Sequence, residues 1–404
     1  MLHKCFLNGL LMFFCSLVFS QEDPKNPFSF KWDNGFKLTS QDNQFALKFG
    51  GRIMVDHAYF FQSDALTKAY GPLISKSGTE IRRARLFFSG DIYENTHFKF
   101  QADFAGNNVN LKDVYIGFSN LPIVGNLQIG HFKEPFRLST LTSSKFTTFM
   151  ELAQNEAFSQ TRNNGIMVHN DFLDDRLSAQ LSTFRNANNT SDDVFADDGY
   201  IVTGRITGLA IKNEKKNQLL HLGLAYSYRQ PESKEYLVSA RPGSHLAPKY
   251  ISTGILKDVD EINLINFETA YINGPFSFQG EYLNATVNTA ISRLNFSNYY
   301  AEVSYFITGE SRNYKSSYDG FGRIKPKNNF GGKNKGAGAW EIALRYSETD
   351  LTDKNIIGGK QGDIALGLNW YLNPVTRLMI NHIWVNIEDQ GNANILQGRI
   401  QIDF

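Results

Sequence analysis

Residues 97–104 read His97-Phe98-Lys99-Phe100-Gln101-Ala102-Asp103-Phe104. Phe98, Phe100, Ala102 and Phe104 fall on alternate positions, with His97, Lys99, Gln101 and Asp103 between them. Successive side chains of a β-strand point to opposite faces, so this stretch predicts a strand with one apolar and one polar face. The dyad returns at the C-terminus, where Leu396, Ile400, Ile402 and Phe404 oppose Gln397, Arg399, Gln401 and Asp403. It also runs through Leu220–Tyr228, Trp340–Tyr346 and Ile364–Trp370. Several of these runs reach about ten residues, enough for a tilted strand to cross a bilayer.

Working outward from these runs gives strands at 45–61, 80–93, 96–106, 110–119, 126–133, 164–171, 175–185, 200–212, 219–230, 261–273, 275–287, 297–309, 337–348, 362–373, 375–389 and 394–404. That makes sixteen, and an even count suits a closed bacterial outer-membrane barrel. Tight turns at Glu94-Asn95, Leu173-Asp174, Asn273-Gly274 and Asn373-Pro374 alternate with longer loops such as 62–79, 134–163, 186–199 and 231–260. The fold class predicted is all-β, a transmembrane antiparallel β-barrel of sixteen strands. Aromatic pairs near strand ends (Tyr59/Phe60/Phe61, Tyr299/Tyr300, Trp370/Tyr371) fit interfacial girdles. Residues 310–336 break the pattern. They fall where a short turn is due and carry Lys315, Arg323, Lys325, Lys327, Lys333 and Lys335, so they hold either a further hairpin or a basic segment folded back at the periplasmic mouth.

Composition narrows the function. The 404 residues carry 41 Lys+Arg against 40 Asp+Glu, which excludes a strongly basic surface built for nucleic acid. Lys4 followed by the apolar run Cys5–Phe19 predicts a signal peptide over 1–20, then a periplasmic segment at 21–44 and the barrel at 45–404. Both cysteines lie in the first segment, so the exported chain has no disulfide framework. No helical stretch outside the extreme N-terminus is long and apolar enough to span a membrane. No nucleophile elbow, zinc-protease helix or phosphate loop occurs, so no catalytic residue, cofactor or metal is expected. Asp192, Asp193, Asp197 and Asp198 read as a solvated acidic loop, and Asn188 and Asn189 as chance matches to a glycosylation pattern.

Sixteen strands leave a water-filled lumen lined by the polar faces. Basic positions there are Lys48, Arg52, Arg83, Arg85, Lys99, Arg229, Arg345 and Arg399, but Asp56, Asp91, Asp103, Asp113, Glu302, Glu341 and Asp403 share the same faces. Anion preference therefore requires a local basic cluster. The candidate for a constriction is 134–163, the third external loop. It mixes Arg137, Lys145 and Arg162 with Glu134, Glu151 and Glu156, and has enough apolar residues to fold inward and pack, the other reading being a surface loop that covers the mouth.

Six stretches, in chain order, resemble the phosphate-selective porin O and P family. They are Ile81-Arg82-Arg83-Ala84-Arg85-Leu86, Leu111–Gly117, Gly130-His131-Phe132-Lys133-Glu134-Pro135-Phe136, Ser143-Ser144-Lys145-Phe146, Arg162–Ile166 and Leu368-Asn369-Trp370-Tyr371-Leu372-Asn373-Pro374. The resemblance implies an outer-membrane porin, commonly a homotrimer set in outer-membrane lipid, that passes small anions such as phosphate or pyrophosphate. It also implies that the site arginines are Arg82 and Arg83, with Arg52 a further pore arginine, Lys145 the inward-loop lysine and Asp113 a carboxylate near the constriction. Adjacent residues of a regular strand face opposite sides, so Arg82 and Arg83 can share the lumen only across a bulge or at a ragged strand start. Two other readings stay open: a general or oligosaccharide diffusion porin, and a secreted β-rich enzyme or binding protein.

Overall fold

The computed structural model describes residues 28–33, 35–186, 199–331 and 335–404. Segment 1–20, the four loop aspartates at 192–198 with Asn188 and Asn189, and Lys333 lie outside the described residues. In chain order a hairpin, β1 (Phe28–Trp32) and β2 (Phe36–Ser40), leads into the barrel strands. These begin with β3 (Phe45–Gln62), β4 (Ser77–Ile92), β5 (Thr96–Asp103), β6 (Asn110–Leu121) and β7 (Gly125–Lys133). They continue with β8 (Arg162–Phe172), β9 (Leu177–Arg185), β10 (Tyr200–Asn213) and β11 (Gln218–Gln230). A small hairpin of β12 (Tyr236–Ala240) and β13 (Ile251–Leu256) follows, then β14 (Val259–Asn273), β15 (Phe276–Thr289) and β16 (Arg293–Phe306). The two-stranded β17 (Tyr314–Ser316) and β18 (Gly320–Phe321) precede β19 (Ala339–Asp353), β20 (Ile356–Asn373), β21 (Thr376–Ile387) and β22 (Gly391–Asp403).

Sixteen strands form the wall, each antiparallel to its neighbours, and β22 closes the ring on β3 with Asp403 opposite Arg52 and Arg399 opposite Asp56. The expected strand count and order are those observed. The sheet starts earlier than residue 45, because β2 pairs with the first residues of β3 and extends the wall below the end of β22. Leu222, Leu224, Ile342, Leu344, Ile364, Leu366 and Ile400 are exposed on the outer face, whereas Gln397, Arg399, Gln401 and Asp403 are buried inside. Phe60, Tyr300 and Tyr371 are exceptions to the girdle reading: they are 6%, 4% and 7% exposed and point inward. Because Leu366 faces out near the middle of its strand, Leu366→Arg should destabilise folding into lipid vesicles by about 2–4 kcal/mol. A urea titration checks this, and an unchanged midpoint would mean that Leu366 does not meet lipid.

At the end that carries both described termini, the connections are tight, as at Asn273-Gly274-Pro275, where Gly274 takes a φ of +56° that other residues resist. The exception is 307–338. It adds no strand to the wall; β17 and β18 pair only with each other, and the segment folds back inside. At the other end, 63–76, 134–161 and 231–258 are long, but 290–292, 354–355 and 388–390 are as short as the turns opposite.

The interior is less open than sixteen strands imply. Loop residues Phe136, Phe149, Phe158, Val238, Ala247 and Ile251 pack against inward-facing Leu264, Leu283, Val287, Phe296, Ile383 and Ile387 in one buried apolar cluster. The inner faces of β14–β16 and β21 are thus apolar where the loops cover them. A dyad with apolar residues on both faces replaces the polar lining expected there, and the loops fill the barrel beside those strands.

Candidate functional site: a basic cavity beside the inward loop

Away from that cluster lies a cavity of about 990 Å³, lined mainly by β3–β8 and by the loop 134–161. Ten cationic side chains line it (Arg52, Arg82, Arg83, Arg85, Lys99, Lys112, Lys133, Lys145, Arg162 and Lys315) against the carboxylates of Asp113, Glu151 and Asp319. The near-balance of charge along the chain is therefore not the balance of this cavity, which carries the local basic cluster that anion preference requires. Low-dielectric walls focus such a field.

Strand register builds the cluster. Closure and the next two pairings set Asp403, Arg52, Arg85 and Asp103 side by side in one row across β22, β3, β4 and β5. In the β3–β4 ladder, Met54 faces Arg83 and Val55 faces Ile81, so Arg82 is the extra residue of a bulge. The bulge turns both arginines to the cavity and spares a guanidinium from lipid. A second irregularity repeats the device: Phe100 faces Val114 and Ala102 faces Leu111, so Lys112 and Asp113 together oppose Gln101, and both line the cavity. Lys112 escaped the sequence reading because regular alternation puts it outside. The signal was present, since a lysine at mid-depth facing lipid costs as much as Arg82 would.

The inward loop is held by the wall. Arg399 donates to the Met150 carbonyl at 2.6 Å, Arg377 to Thr147 at 2.8 Å, Asn369 to Thr148 at 2.8 Å, Arg345 to Glu151 at 3.0 Å and Gln401 to Lys145 at 3.0 Å. At its start, the backbone N–H groups of Leu138 and Ser139 donate to Glu268 and Glu281 at 2.9 and 2.7 Å. Lys133 donates to the carbonyls of Thr140, Leu141 and Thr142. A buried loop must satisfy its backbone, and charged wall residues do so here. The loop ends at 161, because Arg162 and Asn163 already belong to β8.

The named residues divide accordingly. Arg82 donates two hydrogen bonds of 2.8 Å to the Glu151 carboxylate, which also accepts from Arg399 at 2.7 Å. Burial alone would raise the Glu151 carboxyl, but Arg82 and Arg399 hold it well below the usual carboxylate range. Arg85 is paired with Asp103 at 2.6 Å. Asp113 is bracketed by Lys99 at 2.5 Å and Arg162 at 2.8 Å. Arg399, Arg345 and Arg229 do not line the cavity: they hold Asp56, the Glu151 carbonyl and Glu134 respectively. Lys48 sits apart near Asp33 at the terminal end.

Among the described residues, Arg52, Arg83 and Lys112 have no carboxylate within ion-pair reach, and the Nε of Arg83 is buried without a hydrogen-bond partner. Arg52 donates to the hydroxyls of Ser144 and Ser143 at 2.8 and 3.3 Å. Lys145 lies 3.4 Å from Asp403 and about 5.3 Å from the centre of the Phe146 ring. Burial, opposed by Asp403 and reinforced by Arg52 and Arg323, brings the Lys145 ammonium down to about 8. Arg52, Arg83, Lys112 and Lys145 are thus cations with donors to spare on one cavity.

The family model described as "Phosphate-selective porin O and P" matches residues 58–404. The chain belongs to that family. It is 26% identical to Porin O of Pseudomonas aeruginosa, covering 90% of this chain and 88% of that protein. Its fold matches the solved anion-selective porin from Comamonas acidovorans with a TM-score of 0.55 at 16% identity, over 89% of this chain and all of that one. It also matches a trimer form of OmpT, an outer-membrane protein of Vibrio cholerae, with a TM-score of 0.54 at 9% identity, over 89% and 99% of the two chains. The family is one of outer-membrane channels, so the chain is a porin of a Gram-negative outer membrane.

Proposed function

We propose that this porin passes small anions, with phosphate-like oxyanions held at Arg52, Arg83, Lys112 and Lys145. The observation that carries the reading is the ten-to-three excess of cations over carboxylates around the cavity, together with guanidinium groups that no carboxylate occupies. A planar guanidinium can donate two parallel hydrogen bonds to one oxyanion, which favours phosphate over halide. Porin O, by its family's description, points the same way. Pyrophosphate would need a second group of donors in line with the first, and Lys99 and Arg162 around Asp113 are the nearest candidates. The test is phosphate block of the chloride current through single channels. Half-block at submillimolar phosphate supports the site, and no block at tens of millimolar refutes it.

The reading carries a pH dependence. Lys145, brought down to about 8, is charged below that pH and neutral above it. The chloride-to-potassium permeability ratio should therefore fall as pH rises from 7 to 9. Lys145→Arg keeps the charge, so it should retain more of the ratio at pH 9 than the native protein, as measured by zero-current potentials at each pH.

Residues 1–20 would direct export, the tight-turn end would face the periplasm, and the segment 307–338 would then enter the pore from the periplasmic side. The assembly would be a homotrimer joined through β5, β7 and β9. These strands have 8, 9 and 9 residues. At about 3.4 Å per residue and a tilt near 40° they rise only about 20–24 Å, less than the roughly 25 Å apolar band, so a neighbouring subunit is the better cover there.

A further inference from the structure

The inward loop and the terminal-side segment meet beneath the cavity, and one carboxylate stands between them. Asp403, 2% exposed at the end of β22, accepts an ion pair from Arg323 of the terminal-side segment and faces the Lys145 ammonium of the inward loop at 3.4 Å. Arg323 is fixed to this place. It also donates to the Pro374 carbonyl, and its guanidinium lies 5.4 Å from the centre of the Phe146 ring, beside Lys145. A second contact holds the two segments in register: Arg312 donates to Thr148 Oγ1 at 2.7 Å and stacks 3.7 Å from the centre of the Phe321 ring. The N–H of Phe321 donates to Thr142 Oγ1 at 3.2 Å. Gly320, with φ +64°, lies where any Cβ would collide with that hydroxyl.

A single buried carboxylate cannot fully satisfy two cations. With Arg323 in closer contact, the Asp403 charge is largely spent, and Lys145 keeps its own for the cavity. We infer that Arg323 is a specificity-determining positioning residue, which neutralises Asp403 and so leaves Lys145 free to meet anions. The inference rests on the anion-channel reading for its consequence but not for its chemistry, because Arg323 acts on Lys145 whether or not an anion binds. Its direction agrees with the lowered proton affinity of Lys145, to which Arg323 contributes. The charged groups that act most on Lys145 are Asp403, Arg52 and Arg323, with the rings of Phe87 and Phe146 beside it and Arg377 and Tyr371 lining the same small pocket, so the balance among these is what a substitution would change.

The test uses the full-length porin in detergent and in planar bilayers, with Arg323→Met, Arg323→Lys, Asp403→Asn and the double variant Arg323→Met/Asp403→Asn. Reductive methylation of Lys145, followed by peptide mass spectrometry, reads the fraction of neutral amine and does not depend on selectivity. In Arg323→Met the freed carboxylate pairs with Lys145 and holds its proton, so labelling at pH 7.5 should slow about three- to tenfold. Phosphate half-block should weaken by a similar factor. Arg323→Lys should behave like the native protein, and the double variant should return both readings toward native values, since no carboxylate remains to capture Lys145. Unchanged labelling in Arg323→Met would overturn the inference, as would a double variant no different from Arg323→Met. If the native channel shows no phosphate block while the labelling pattern holds, the anion reading fails and the role of Arg323 stands. If Arg323→Met does not assemble, Arg323→Gln takes its place: slower labelling of Lys145 supports the inference and an unchanged rate refutes it.

Discussion

Arg83→Ala raises the phosphate concentration for half-block by about ten- to a hundredfold while single-channel chloride conductance changes little. A hydrogen bond to a charged group contributes about 1.5–3 kcal/mol, and a guanidinium with no competing carboxylate offers the whole of it to a ligand. Arg83 is such a group, because its neighbour Arg82 occupies Glu151 and its own Nε has no partner. The loss should fall on affinity and not on folding: no carboxylate is orphaned, and the barrel ladder at Met54 is unaltered. Arg83→Lys keeps the charge but loses the fork, so block should weaken while most anion preference survives. Phosphate titration of single channels for the two variants, side by side, makes the comparison. Equal block in native and Arg83→Ala channels would remove Arg83 from the site.

Glu151→Gln produces the largest structural effect. That carboxylate ties the inward loop to β4 through Arg82 and to β22 through Arg399, and it is 13% exposed as a side chain. Removing one side of a buried pair costs about 3–5 kcal/mol, and here the loss falls on Arg82, because Arg399 keeps its two hydrogen bonds to Asp56. Two arginines then face one another across the loop. The loop should leave the wall, conductance should rise and the current should become noisier, while the barrel itself, held by its ladders, still closes. Urea or heat denaturation of the folded band on a gel should show a lowered midpoint. Arg82→Ala should reproduce the noise but weaken phosphate block less than Arg83→Ala, since Arg82 serves the loop. A Glu151→Gln channel with native conductance and native stability would show that the loop is held by its backbone contacts alone.

The wall was legible because its physics is local. Alternation in 97–104 or 396–404 needs only the strand's period of two, and each run can be judged without the others. The need for a bulge at Arg82 was also legible, from the cost of a guanidinium in lipid, and the β3–β4 register supplies it. Lys112 was missed for want of applying the same cost to a residue beside Asp113. What the sequence did not display was the apolar filling of the barrel beside β14–β16 and β21. Leu264, Leu283, Val287 and Phe296 face inward against Phe149 and Val238, residues far away in the chain, and an inner face that turns apolar under a loop looks like any other apolar stretch. For the same reason Arg229, Arg345 and Arg399 read as pore cations, although each is engaged with the loop or its anchors. Their polar-face position was right, and their availability depended on where 134–161 lay. The segment 307–338 posed a choice between a wall hairpin and an inward fold that only long-range contacts, such as Arg312 with Thr148, resolve.

The most direct measurement is the zero-current potential of the purified native protein in a planar bilayer under a KCl gradient. Ten cations against three carboxylates at the cavity predict that the dilute side becomes negative, as chloride runs ahead of potassium. Adding phosphate to the same channels should then reduce the chloride current. A dilute side that turns positive, or a potential near zero with no response to phosphate, would contradict the account and leave a barrel that passes small solutes without regard to charge.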